Sequence, residues 1–171
     1  QFEKLINFLD ENIFYIEKKL NFFIQNIYII LEHNEFIPIG ICIKKQNYGK
    51  IILKDDIIYS LNEIKNYCKK TFDGKKIIHM LIDNFIVDNK SYSLLPENLK
   101  GNNFVIDVNF ICLPNRIIKN LEKILKKYQI IIQQLVEMNY VSKLSLETND
   151  DVFLATKKAV EGSNINEVKL L

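Results

Sequence analysis

The chain has 171 residues, 48% of them hydrophobic and 26% charged, which is enough apolar material for one core in a single domain or a domain with flanking pieces. A formal net charge of +2 is close to balanced and carries no basic footprint of the kind that would point to nucleic-acid binding. No stretch approaches the roughly 18 to 20 uninterrupted apolar residues of a membrane span, and the chain, opening at Gln1 in mid-pattern, reads as a piece of a longer protein.

The first element is a helix. Phe2, Leu5, Ile6, Leu9, Ile13, Ile16 and Leu20 recur on one face, with Glu3, Lys4, Asp10, Glu11, Glu17 and Lys18 available for the other. Asn26 to Leu31, reading NIYIIL, is an apolar run of the kind found in a strand covered on both faces. In Phe36 to Ile43 the residues Ile37, Ile39, Ile41 and Ile43 alternate with Pro38 and Gly40. A proline there predicts a strand at the margin of its sheet, where a partner can add a strand or pack beside Ile37, Ile39 and Ile41. Asn47, Tyr48 and Gly49 form a turn, and Asp55 or Asp56 can cap a helix whose apolar face is Ile57, Ile58, Leu61, Ile64 and Cys68. The stretch Thr71 to Lys75, with Asp73-Gly74, ends it.

A long strand then runs through KKIIHMLIDNFIVDN, followed by an excursion ending LLPENLKG. From Phe104 the apolar residues Phe104, Ile106, Val108, Phe110 and Cys112 fall on alternate positions, opposite Asp107 and Asn109, the period of a half-buried strand. After Pro114, placed in the first turn of a helix, Ile117, Ile118, Leu121, Ile124, Leu125 and Tyr128 recur at helical spacing. Arg116, Lys119, Glu122, Lys123, Lys126 and Lys127 form the opposite, solvated side. With almost no connecting residues before the next strand, Ile130 to Leu135, this helix is expected to lie across the sheet it came from. Asn149 to Asp151 begins a short helix through about Glu161, stopped by Gly162, and the remaining residues are polar and without pattern.

Catalytic signals are sparse. His79 stands between Ile78 and Met80 with no HxH, HExxH or cysteine partner, and reads as a satisfied histidine on a sheet. Asp83 and Asp88 read as solvated edge charges rather than an acid pair. Cys42, Cys68 and Cys112 are widely spaced in apolar surroundings and read as small core residues in a reducing cytosol. There is no GxxxxGK, GxSxG or GxGxxG.

One family matches the order of these words. Ile77, Ile78 and His79 stand where an entering strand reads (I/V)LH, and Asn98, Leu99, Lys100 and Gly101 form a (G/N)L-x-G turn. Val105 to Cys112 is a strand ending in a small residue, Asn115 to Leu121 opens a helix with a Lys-Asn-Leu step, and Ile130 to Leu135 is the return strand. From about Asn26 to Leu144 the chain resembles the bacterial cell-division protein family FtsA, which is actin-like, through the inserted subdomain called 1C. The resemblance implies an α/β (α+β) fold, a strand-helix-strand-strand inserted subdomain beside remnants of an actin-like core. Residues 1–33 would be core remnant, 34–128 the inserted subdomain, and 129–171 the return strand with a short helix and tail.

That family continues past the return strand with a DIGGGT loop that wraps nucleotide phosphates; here the chain reads SLETNDDVFLATKKAVEGSNINEVKLL, and the family's other phosphate loop would precede Gln1. No cofactor is therefore expected in this chain, ATP included, and no enzyme activity. The family's amphipathic membrane anchor is not legible either, since Lys157 to Leu171 has no sustained aromatic-rich face. The implied function is a non-catalytic protein–protein interaction module at the septum. Its implied partners are another FtsA-like subunit and divisome proteins, with the tubulin-like division protein reached through the missing part. No nucleic acid and no direct membrane insertion are implied, and the location would be cytoplasmic, peripheral to the inner face of the cell membrane. A related actin-like scaffold of type IV pilus assembly is the alternative.

Overall fold

The structure, a computed structural model, describes residues 2–161. In order it contains α1 (Phe2–Leu20), β1 (Asn26–Leu31), β2 (Ile37–Gln46), α2 (Lys54–Thr71), β3 (Lys75–Val87), β4 (Lys90–Tyr92), β5 (Asn103–Pro114), α3 (Asn115–Lys126), β6 (Ile131–Glu137), α4 (Met138–Thr148) and α5 (Val152–Glu161). The fold is α/β, with an antiparallel sheet of order β2-β5-β3-β4 and a separate parallel pair, β1-β6. The expected stop at Gly162 and the polar tail lie outside the described residues.

Strand β5 is the axis of the larger sheet. Its alternation places Phe104, Ile106, Val108, Phe110 and Cys112 on one face, where they meet Ile57, Leu61, Ile64 and Cys68 of α2. Ile58, expected on that apolar face, is exposed, and Ser60 is buried instead, its hydroxyl donating to the Asp56 carbonyl at 2.8 Å. Asp56 also accepts the Leu53 amide at 3.2 Å, which satisfies one of the free donors at the start of α2. The register shift between Ile77 and His79 inserts Ile78 as an extra residue in β3. Ile77 and Met80 therefore stay in the core under α2 while Ile78 joins a second cluster with α3.

Helix α3 packs only on the end of the sheet from which it emerges, at Ile78 and Leu113, and extends from there over the β1-β6 pair. Ile117, Ile118 and Leu121 pack with Leu135, Ile29 and Leu31, and Ile124 and Leu125 pack with Leu9 and Ile130. The helix thus covers the β1-β6 pair together with α1, because β6 returns beside β1 rather than beside β5. Pro114 sits one place earlier than expected, as the last residue of β5 before the helix. Strand β1 also departs from expectation. Ile27, Ile29 and Leu31 face the helices, but Tyr28 and Ile30 on the other side are 50% and 39% exposed, so one face is open. In α1 the expected stripe faces inward except at its end, where Leu20 is exposed.

Two elements go beyond the sequence reading. Asp88 and Asn89, with φ of 45° and 68°, close a two-residue hairpin between β3 and β4. Helix α4 begins where the Glu137 carboxylate accepts the amides of Asn139 and Tyr140 at 2.9 and 2.6 Å, a cap placed directly on the end of β6.

Candidate interaction surface

Strand β2 forms one rim of the antiparallel sheet, paired with β5 from Ile37↔Cys112 to Gln46↔Asn103 and with no other strand among the described residues. The marginal position expected from Pro38 is the one observed. Proline lacks an amide donor and fits where that side of the backbone faces away from the ladder. The same orientation repeats every second residue, so Gly40, Cys42 and Lys44 turn their peptide groups to the open rim, while Ile39, Ile41 and Ile43 turn theirs to β5.

Side chains follow the same alternation. Ile39 is 9% exposed in the core, and Ile37 and Ile41 pack partly buried against it, beneath α2. These three residues hold the rim in place rather than present themselves at it. What lies open is the backbone with Pro38, Gly40, Cys42 and Lys44, and a Cβ built on Gly40 meets nothing within 4 Å.

Further along the same sheet a cleft of about 300 Å³ is lined by Lys44, Ile86, Asp88, Asn89, Asn102, Asn103 and Val105. Asp88 is not a merely solvated charge. Its carboxylate accepts the Asn102 amide at 2.9 and 3.0 Å and the Asn103 amide at 2.9 Å, and these two bonds hold it below the usual carboxylate range. Behind the cleft Asn47 donates to the carbonyls of Lys50 (2.6 Å) and Gly101 (3.2 Å), tying the turn after β2 to the loop before β5. Gly101 is required by space, since a Cβ there would lie 2.3 Å from Val87 Cγ1. Asn98 in the same turn has φ of 57°, a backbone that asparagine tolerates.

His79 is fully buried, and its Nε2 accepts the Glu137 backbone amide at 3.0 Å; its ring lies 4.4 Å from that of Tyr140. The residue is a pin between β3 and the junction of β6 with α4, in keeping with a satisfied histidine. Accepting at Nε2 leaves the proton of a neutral ring on Nδ1. Cys68 and Cys112 are buried thiols of one core cluster, and burial together with the neighbouring Cys68 pushes the Cys112 thiol up to about 12. Cys42, by contrast, is exposed, because it lies on the outward parity of β2; burial and the adjacent Asp107 raise its thiol. No group of three or more metal-ligating side chains occurs among the described residues.

The surface most open to a partner is thus built by β2 and its neighbouring cleft, on a sheet stiffened by α2 from behind. Asn109, the cross-strand neighbour of Gly40, adds a buried Oδ1 with no hydrogen-bond partner among the described residues. In sequence the rim was marked by Pro38; the cleft carried a signal in the Asp-Asn pair at 88 and 89, both tolerant of positive φ. Compared with models of protein families and with curated proteins, the chain matches none.

Proposed function

We propose that this chain is a non-catalytic protein–protein interaction module of an FtsA-like, actin-like cell-division protein. It contacts another FtsA-like subunit and divisome proteins at the septum. The observation that carries the reading is the ten-residue rim strand β2, whose outward peptide groups have no strand beside them among the described residues. Backbone donors and acceptors at such a rim give affinity to an added strand, and the side chains beside it give selectivity.

Topology supports the same reading. The chain leaves at β1, builds the β2-α2-β3-β4-β5 unit, and returns through α3 to β6 alongside β1. That is the path of a unit inserted between two neighbouring strands, with its own core under α2. The module acts in the cytoplasm and reaches the inner face of the membrane through the full-length protein or its partners. No helix among the described residues is long and apolar enough to cross a membrane. ATP is not expected to bind, since the family's glycine-rich phosphate loops have no counterpart in this sequence. Calorimetric titration showing stoichiometric micromolar binding of ATP would overturn that part.

The test of the rim uses its outward parity. Cys42→Pro removes one open-side amide without touching the ladder to β5, whereas Ile39→Lys would bury a charge and unfold the sheet. Binding to a purified FtsA-like subunit is expected for the parent and for Lys123→Ala, and is expected to be lost in a folded Cys42→Pro. Equal binding by Cys42→Pro, or none by the parent, contradicts the reading.

A further inference from the structure

Helix α1 is apolar on two sides. Inward, Leu9 is buried and Phe2, Leu5, Ile6 and Ile13 pack around Ile124, Leu125 and Ile130. Outward, Phe8, Phe14 and Tyr15 are 52%, 75% and 64% exposed. At about 100° per residue, Phe8 and Tyr15 fall within roughly 20° of each other on the solvent side, with Glu11 between them and Lys18 one step further on. Phe8 and Tyr15 flank this line of charges on one side and Phe14, about 100° round from Tyr15, on the other; exposed aromatics grouped on one element mark a contact surface.

The charges on this outer stripe say what covers it. Glu11 and Lys18 are both exposed and stand two turns apart, while the nearby Asp10 is occupied by the Tyr128 hydroxyl at 2.6 Å and Glu17 by the Ile24 amide at 2.9 Å. Lys4, at the other end, has the same sign as Lys18. We propose that the outer face of α1 is a homotypic contact, on which a second copy of this chain packs its own α1 antiparallel. A two-fold axis beside Phe14 and Tyr15 brings Phe14 against Phe14 and Tyr15 against Tyr15 of the two copies. It also sets Glu11 of each copy opposite Lys18 of the other, since both pairs are centred on the same height of the helix, midway between Phe14 and Tyr15. Lys4 lies opposite position 25, beyond the end of the helix, and meets no like charge within it. In this register the stripe is complementary to itself.

This contact does not rest on β2. It uses a helix that covers the β1-β6 pair, so the rim test and the test of α1 fail independently. Sedimentation equilibrium of the chain over a micromolar to millimolar range is expected to show a monomer–dimer equilibrium. Glu11→Lys and Lys18→Glu are each expected to weaken it by roughly tenfold, because each sets two like-charged pairs across the axis. The double variant Glu11→Lys/Lys18→Glu is expected to restore the parent's affinity, with circular dichroism unchanged throughout. A chain that stays monomeric up to the millimolar range, as it would if a different protein covered α1, overturns the proposal. So does a double variant as weak as either single one.

Discussion

The four-stranded sheet and the β1-β6 pair are put together on different terms. The first is antiparallel and local: β3, β4 and β5 follow one another along the chain, and one face is closed by α2. The second joins strands from opposite ends of the chain in parallel, with α1 and α3 on one face and Tyr28 and Ile30 open on the other. Parallel strands are ordinarily covered on both faces, and two strands alone are only marginally stable. One region is therefore a self-sufficient body that offers its rim; the other depends on what packs around it.

Truncation measures the contrast. Phe110 has no exposure at the centre of β5, and Phe110→Ala should cost about 3–5 kcal/mol in denaturant unfolding, whereas Tyr28→Ala on the open side of β1 should cost less than about 1. Equal costs would mean that the open face is covered. On the helix shared between the strands of the second region, Leu121→Ala should cost about 2–5 kcal/mol and Lys123→Ala less than about 0.5.

The joint between the regions comes next in size. His79→Leu removes the acceptor of the buried Glu137 amide, and a donor left unpaired costs about 1–3 kcal/mol. Amide exchange should accelerate at Glu137 and through α4 more than in β5. Uniform acceleration would show that His79 serves the antiparallel core rather than the joint. On the face of the sheet opposite α2, Asn109→Val removes the unpaired Oδ1 and suits a strand better, so it should stabilise by about 1 kcal/mol; a loss of stability would reveal a partner for that oxygen.

The smallest effect belongs to the hairpin beside the cleft. Asp88 is held below the ordinary carboxylate range by two backbone amides, so its bonds stabilise the fold fully above the unfolded value of about 3.9 and are lost as pH falls through the lowered folded value. Asp88→Asn should be less stable than the parent at neutral pH, with the gap closing below about pH 4. A gap that stays constant across that window would assign the stabilisation to something other than the charge.

These differences track what could be read from the residues. The alternation of β5, the inward face of α3 and the marginal place of β2 were legible, because period and proline act locally. Where α3 would pack was not, since its apolar stripe fits either sheet and only the pairing of β6 with β1 decides. The outward turn of Cys42 and the inward turn of Ile37, Ile39 and Ile41 follow from parity once β5 is known as the sole neighbour of β2 among the described residues. Helix α4 was hidden because its cap, Glu137, is also the last residue of a strand. The outer stripe of α1 was masked by the stronger inward one, although Phe8, Phe14 and Tyr15 stood in plain view.

Amide-resolved hydrogen exchange along β2 tests the central claim most directly. In dilute solution Ile39, Ile41 and Ile43 should exchange slowly and Gly40, Cys42 and Lys44 quickly, the alternation of a strand bonded on one side. On addition of a purified FtsA-like subunit, Gly40, Cys42 and Lys44 should become protected while the other three change little. Outward amides that are already slow in the dilute chain, or that stay fast when the subunit is bound, would contradict a partner strand at this rim.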